Sequence, residues 1–148
     1  MIRTVQFFAI LLTALSLVPA GAHLMEISAK LGMPGPDYLT VQRLYQGWAL
    51  AGAFLVGALA VDVLLAFMSR AQAGPCYWII AAAVLMLFTL VTFFIVVYPV
   101  NQATENWTRL PDNWQDLRSR WEFMHAGNAV VTLMALVATI IGSLAWRG

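Results

Sequence analysis

The sequence predicts an all-α integral membrane protein in which four transmembrane helices run up-down-up-down as one bundle. Of its 148 residues, 61% are hydrophobic and 10% are charged, against roughly 45–50% and 25% in soluble domains. Four apolar segments are each long enough to cross a bilayer, which takes about 20 helical residues. Loops containing glycine and proline separate the segments, and the chain length fits a single domain, residues 1–148.

The four predicted spans cover about residues 5–27, 44–68, 77–100 and 123–146. Glycines and prolines at 32–36 end the first span, and Ala73-Gly74-Pro75 forms the turn between the second and third. Pro99 is expected to close the third span. Pro111 followed by Asp112, with Gln115 three positions on, resembles a capped helix start. We therefore expect the fourth helix to begin near Asn113 and to extend beyond the membrane.

The location of the two termini is only weakly determined by charge. The segment after Arg3 also resembles a secretory signal, but its apolar length is interpreted here as the first span. The side of the membrane that holds both termini would contain three arginines, Arg3, Arg70 and Arg147, and no acidic residue. This distribution favours cytoplasmic termini in a bacterial inner membrane. A plain count of lysine and arginine favours the reverse orientation.

Charge and composition also limit the partners. A formal net charge of +1, without a run of basic residues, argues against binding of nucleic acid. The expected partners are membrane lipid and a hydrophobic small molecule. Ala49, Ala53, Gly57 and Ala60 form a row of small residues, which more often packs within one chain than between two copies, so a homo-oligomer stays open.

Ionisable residues concentrate at three helix ends that an up-down-up-down bundle brings to one face. His23 and Glu26 lie near the end of the first span, Asn101 at the end of the third, and Glu122 and His125 at the start of the fourth. Each His/Glu pair has a spacing of three residues, so each pair projects from one side of its helix. Because ionisable groups near hydrocarbon are costly, such residues normally mark a site inside the bundle.

Two interpretations of these residues stay open. Two imidazoles and two carboxylates suit one iron, zinc or manganese ion, with His23, Glu26, Glu122 and His125 as ligands. The alternative is a structural lock, in which the same groups form ion pairs with neighbouring basic residues, which are Lys30, Arg118 and Arg120.

Other residues have a simpler expected role. Asp62 lies in the second span, on the opposite side of the membrane from the histidines. We expect it to pair with Arg70 at the interface, with a proton relay as the alternative. Tryptophans and tyrosines concentrate on the histidine side, where an aromatic interface belt is the default explanation and a wall for a flat ligand is the alternative.

Several motifs together resemble a known family. They are Tyr98-Pro99-Val100-Asn101, Asn106-Trp107, the run from Trp114 to Glu122 with its Arg118-Ser119-Arg120-Trp121-Glu122 core, and His125. The chain resembles, over essentially its whole length, the small four-span membrane proteins that include the fungal anthrone oxygenases. Those enzymes insert oxygen into a fused-ring phenolic compound to give an anthraquinone.

The resemblance implies a membrane oxygenase or related oxidoreductase that acts on a hydrophobic aromatic or quinone-like substrate. Asn101 and Arg120 would orient the substrate, and His125 or Glu122 would move the proton. Trp107, Trp121 and Tyr98 are the expected substrate-binding residues. The alternative is a non-catalytic membrane subunit or small-ligand binder whose polar residues are only structural.

Overall fold

In the computed structural model, which describes residues 1–147, every regular element is helical and no strand is present in that range. Four stretches are long and apolar enough to cross a membrane, as predicted. The six α-helices are α1 (Ile2–Leu31), α2 (Gly35–Gln42), α3 (Gly52–Ser69), α4 (Ala73–Thr92), α5 (Tyr98–Ala103) and α6 (Trp114–Leu144). Large apolar side chains are exposed along the four long stretches, as expected of surfaces that contact lipid.

Two of the predicted boundaries differ from the structure. α1 continues past residue 27 to Leu31, which adds one turn and brings Lys30 into the helix. The expected turn at Ala73-Gly74-Pro75 is wrong, because these residues form the first turn of α4. A proline is tolerated there, since the first backbone N–H groups of a helix have no partner within it.

The third membrane stretch contains a π-helical turn. A π-helix at Phe93–Val97 joins α4 to α5, so the stretch continues to Ala103. The expectation that Pro99 ends this stretch is therefore wrong. Pro99 has no N–H to donate to the preceding turn, and the wider π turn accommodates that missing bond without breaking the helix.

The four long helices form a ring in which α1 packs on α3 and α6, and α4 packs on the same two helices. Contacts at both ends show that α1 and α6 run antiparallel. Gln6 donates to the Ser143 carbonyl at one end, and Lys30 pairs with Glu122 at the other. α4 and α6 are also antiparallel, because Thr92 lies against Asn128, and Ile79 lies against Gly142.

Close approach of α4 and α6 requires a glycine. A Cβ at Gly142 would lie 2.7 Å from Ile79 Cδ1 and 3.1 Å from the Pro75 carbonyl oxygen. Nothing larger than hydrogen fits there without moving backbone, so Gly142 sets the spacing of the two helices. This contact lies at the end of the bundle away from the histidines.

Two irregular segments cover the histidine end of the bundle. One comprises α2 and two 3₁₀ turns, Arg43–Tyr45 and Trp48–Ala51, which Gly47 joins with a φ of +86°. The other is the loop between α5 and α6, where Glu105, Asn106 and Trp107 all have φ between 51° and 60°. Left-handed backbone costs roughly 1–2 kcal/mol per residue. Here it turns Trp107 inward, where its side chain is buried.

The predicted pairing of Asp62 with Arg70 is wrong. Asp62 is completely buried within the bundle, and neither of its carboxyl oxygens has a hydrogen-bond partner among residues 1–147. The Arg70 guanidinium instead lies over the Phe67 ring, 4.0 Å from the ring centroid, and donates to the Phe67 carbonyl. Asp62 projects inward because it shares the buried face of α3 with Ala58 and Leu65.

Candidate functional site

The two histidines of the chain face each other across the bundle. The His23 and His125 rings lie 4.3 Å apart, centroid to centroid, with an angle of 31° between their planes. The Trp121 indole packs edge-on against both, at 4.2 Å from His125 and 4.9 Å from His23. The structure therefore brings the two predicted pairs together on facing sides of α1 and α6.

Lys30 lies at the centre of the ionisable groups. Its Nζ is 3.3 Å from a carboxylate oxygen of Glu26, 3.3 Å from one of Glu122, and 3.2 Å from Nδ1 of His23. Both Lys30 and Glu122 are fully buried. We call the five residues His23, Glu26, Lys30, Glu122 and His125 the polar cluster.

Two tyrosines bind the first covering segment, which comprises α2 and the two 3₁₀ turns, to the polar cluster. Tyr38 on α2 donates its hydroxyl to Glu122 at 2.8 Å, and Tyr45 donates to Glu26. The Tyr45 ring also lies 4.6 Å from His23 and receives the Lys30 ammonium on its face at 4.5 Å. Each carboxylate thus has one lysine and one tyrosine as partners.

Burial and these carboxylates raise the pKa of both phenols. Burial of Tyr38, followed by the negative charge of Glu122 and their hydrogen bond, raises the pKa of this tyrosine far above its usual value. Burial also raises the pKa of Tyr45, with its hydrogen bond to Glu26 as the next cause. Both tyrosines therefore act as hydrogen-bond donors at neutral pH.

Arg118 fixes the end of α1 beside the polar cluster. Its guanidinium donates to the Met33 carbonyl at 2.7 Å and to the Lys30 carbonyl at 3.3 Å, and the Lys30 carbonyl also accepts from the Met33 N–H. The guanidinium also lies over the Trp114 ring, 4.7 Å from its centroid. A cation at a helix C-terminus is favoured by the helix dipole. Arg118 thereby holds Lys30 in place through the backbone.

The donor set fits an ammonium group better than a transition metal. Among residues 1–147, no group of three or more His, Cys, Asp or Glu side chains is arranged to hold a metal ion. Lys30 Nζ lies between three of the four predicted ligands, Glu26, Glu122 and His23, and already supplies their positive partner. The arrangement does not support the expected iron, zinc or manganese site, and a bound metal stays a prediction.

Asn101, Trp121 and Trp107 adjoin the polar cluster, whereas two other predicted residues do not. Asn101 accepts a hydrogen bond from the Trp121 indole at 2.8 Å, and Trp107 packs against Trp121 at 6.0 Å. Tyr98 is 45% exposed and packs against Phe94. Arg120 is exposed on α6 and makes none of the contacts described for the polar cluster.

The sequence interpretation named Lys30 and Arg118 only as ion-pair partners in the structural alternative, and it did not assign Tyr38 or Tyr45 to the site. Lys30 is seven residues after His23 and four after Glu26, a spacing that places all three on one face of a helix. That signal was available, but the apolar run ends at about residue 27, and the predicted span stopped there. No signal could place Tyr38, because its contact with Glu122 spans 84 positions of sequence.

A cavity of about 80 Å³ lies on the outer side of Trp107, between the two covering segments. Gln42, Arg43 and Asn106 also line it. Small-molecule pockets are usually about 300–1,000 Å³. This cavity is too small for a fused-ring compound.

Comparison with known proteins agrees with the motifs and the four membrane stretches. The family model described as "Anthrone oxygenase" matches residues 39–138. This range begins directly after Tyr38 and includes Trp121, Glu122 and His125. No curated protein and no solved structure matches the chain. The match covers more than half of the chain, and the chain belongs to the anthrone oxygenase family.

Proposed function

We propose that the protein is a membrane oxygenase whose site is formed by His125, Trp121 and the charged part of the polar cluster. The observation that carries this proposal is the placement of His125. Its ring is half-buried and packs against the rings of Trp121 and His23, and His23 in turn lies 3.2 Å from the buried Lys30 ammonium. The family match supports an oxygenase-like role. The substrate class is a hydrophobic aromatic or quinone-like compound that enters from the lipid.

The proposed reaction converts a benzylic CH₂ of the substrate into a ketone. Dioxygen is the oxidant: one of its oxygen atoms becomes the carbonyl oxygen, and the other leaves as water with the two hydrogens. Loss of one proton from the CH₂ group gives an aromatic anion that dioxygen can oxidise. The protein must therefore remove a proton and stabilise negative charge on a flat ring system.

The residues of the site fit these two tasks. His125 is the proposed base, because Glu122 is already paired with Lys30 and Tyr38. The Lys30 ammonium would stabilise the oxyanion of the substrate. The face of Trp121 would position the flat ring, with Asn101 fixing the indole through its hydrogen bond.

Oxygen uptake by the purified protein in lipid tests this function. With an anthrone-type compound, we expect consumption of one O₂ per carbonyl formed, and incorporation of one labelled oxygen from ¹⁸O₂. His125→Phe keeps an aromatic ring but removes the base, and turnover should fall by about 10²–10⁴-fold. Trp121→Phe should weaken substrate binding, whereas Trp78→Phe, a matched change at an exposed site, should not. No uptake with any aromatic substrate offered would contradict the proposal.

A metal requirement is checked in the same preparation by elemental analysis. The metal-free form of the oxygenase proposed here requires full turnover without a stoichiometric transition metal. If one iron, zinc or manganese per chain were found and lost in His23→Ala, the metal-dependent form of the oxygenase would replace the form proposed here. The expected cytoplasmic location of the termini is a separate prediction, and labelling of cysteines introduced at either end would test it.

A structural lock is the second candidate, and the complete burial of Lys30 and Glu122 favours it. In that case the polar cluster would only fix the packing of α1 on α6, and the protein would be a non-catalytic subunit or ligand binder. Melting temperature and turnover separate the two. A lock predicts that His125→Phe changes neither property much, because His125 carries none of the ion pairs.

A further inference from the structure

Asp62 is a buried acidic residue that the proposed reaction does not use. It is completely inaccessible to solvent on α3, and neither of its oxygens accepts a hydrogen bond from residues 1–147. The Thr139 hydroxyl lies within reach of this carboxyl group, but it donates to the Ala135 carbonyl at 3.0 Å. An ionised carboxylate without a partner is very costly inside a helical bundle in a membrane. The carboxyl group therefore needs a bound cation, and the smallest candidate is a proton.

Buried polar side chains connect the level of Asp62 with the histidine pair. They follow the buried face of α6 and the facing side of α1, and we call them the polar row: Thr13, Ser16, Asn128, Thr132 and Thr139. Each of the four hydroxyls donates to the carbonyl four residues earlier in its own helix. Their oxygen atoms keep lone pairs that can accept a hydrogen bond from water or from an acid.

The antiparallel packing of α1 on α6 spaces the polar row evenly. His23 lies opposite His125, so Ser16, seven residues earlier, lies near the level of Thr132, seven residues later. Thr13 lies near the level of residue 135, between Thr132 and Thr139. At 1.5 Å per residue, successive polar groups are separated by roughly 4–6 Å along the bundle axis. One water molecule can bridge such a gap where two polar partners are available.

We propose that Asp62 is a proton-binding site in the bundle core that exchanges its proton with the histidine end through the polar row. The chemical step is a transfer of H⁺ alone: an O–H bond breaks at Asp62, the proton passes along hydrogen-bonded groups, and an N–H bond forms at His125 or His23. No electron moves, and no co-reactant is needed. This proton-binding site lies about 21 Å from the histidines along the bundle axis, because 14 residues of α6, at 1.5 Å each, separate His125 from Thr139 beside Asp62.

Infrared spectroscopy of the wild-type protein in lipid tests this proposal without any substrate. The difference spectrum between wild type and Asp62→Asn should contain the C=O band of a protonated carboxyl group. In D₂O this band should shift as the proton exchanges, and the time course of the shift gives the exchange rate. Because no turnover is measured, failure of the oxygenase proposal would leave this test unaffected.

Two matched variants identify the route of exchange. Thr132→Val keeps the side-chain volume but removes a link of the polar row, and the exchange should slow by about tenfold or more because a bridging water would have one polar partner fewer. Ser69→Ala removes a buried hydroxyl on the other side of Asp62, seven residues further along α3, and should leave the rate unchanged. Slow exchange in Ser69→Ala with normal exchange in Thr132→Val would overturn the proposed route. A carboxylate band in place of the C=O band would overturn the proton-binding site.

Discussion

The two ends of the bundle contain buried charge in opposite ways. In the polar cluster, the Lys30 ammonium lies 3.3 Å from each of two carboxylates, and a tyrosine donates to each of these carboxylates. At Asp62, a carboxyl group is equally buried but has no donor and no counter-charge within residues 1–147. The sequence does not distinguish Asp62 from the carboxylates of the polar cluster, because each is an acidic residue near one end of an apolar helix.

The contrast separates two costs of placing an ionisable group in a membrane protein. For a paired group, attraction to its partners offsets most of the free energy of desolvation, so removal of one partner destabilises the protein. An unpaired group carries that cost itself, so its own removal should be harmless or stabilising. Stability measurements on single variants can therefore tell the two ends apart, and they should give opposite signs.

Lys30→Met should produce the largest loss of stability. Methionine has a similar length, but it leaves Glu122 buried without a counter-charge, which typically costs about 3–5 kcal/mol. We expect a clear fall in the melting temperature of the protein in detergent. Changing Glu122 as well, in Lys30→Met/Glu122→Gln, should recover most of that loss.

The matched control for Lys30 is an exposed ion pair of the same spacing. Arg109 and Glu105 are about two-thirds exposed, with a contact of 3.4 Å. Arg109→Met should cost no more than about 1 kcal/mol, as is usual for surface pairs. An equal effect of Arg109→Met and Lys30→Met on the melting temperature would show that burial of the polar cluster is unimportant.

Asp62→Leu should have a smaller effect of opposite sign. Leucine has the same branched shape, though a larger volume, and it removes two carboxyl oxygens that lack partners, so stability should rise by about 1–3 kcal/mol. Asp62→Asn should gain less, because an amide in the same place still lacks partners. A fall in melting temperature for Asp62→Leu as large as that for Lys30→Met would mean that Asp62 has a strong partner after all.

The smallest effect concerns the ionisation of Tyr38. Its pKa is raised in the folded protein above the value of about 10 in an unfolded chain. The native hydrogen bond is therefore fully present below pH 10, and stability should fall as the pH rises beyond that value. Tyr38→Phe should reduce this alkaline loss of stability.

Tyrosinate absorbance provides the check on Tyr38. Near pH 10, Tyr38→Phe should leave the absorbance change of the folded protein unaltered, while it lowers that of the denatured protein by one tyrosine. A reduced absorbance change in the folded variant would show that Tyr38 ionises normally and that its contact with Glu122 is weak.

The four membrane stretches and the meeting of His23 with His125 could be predicted from sequence, because both follow from local patterns. Apolar length fixes each stretch, and a three-residue spacing fixes which side chains share a helix face. The partners across the bundle could not be predicted in the same way. Whether Lys30 pairs with Glu122 depends on how α1 and α6 pack, and the predicted span stopped one turn before Lys30 because the apolar run ends at about residue 27.

Asp62 illustrates a different limit. Its distance from Arg70 along the chain, eight residues, suggested an ion pair at the membrane interface. The rotation of α3 decides the matter, because it places Asp62 on the same face as Ala58 and Leu65 and turns Arg70 outward. Rotation about a helix axis is set by tertiary packing, and an almost uniformly apolar helix carries little signal for it in sequence.

The π turn at Phe93–Val97 has a consequence for the comparison of sequences within the family. A π turn holds one more residue than the α-helical turn it replaces. A relative with a regular helix here would need one residue fewer to keep Asn101 against Trp121. Gap-free alignments would then pair Asn101 with the wrong column, and a functional asparagine would seem to vary where its position in space is constant.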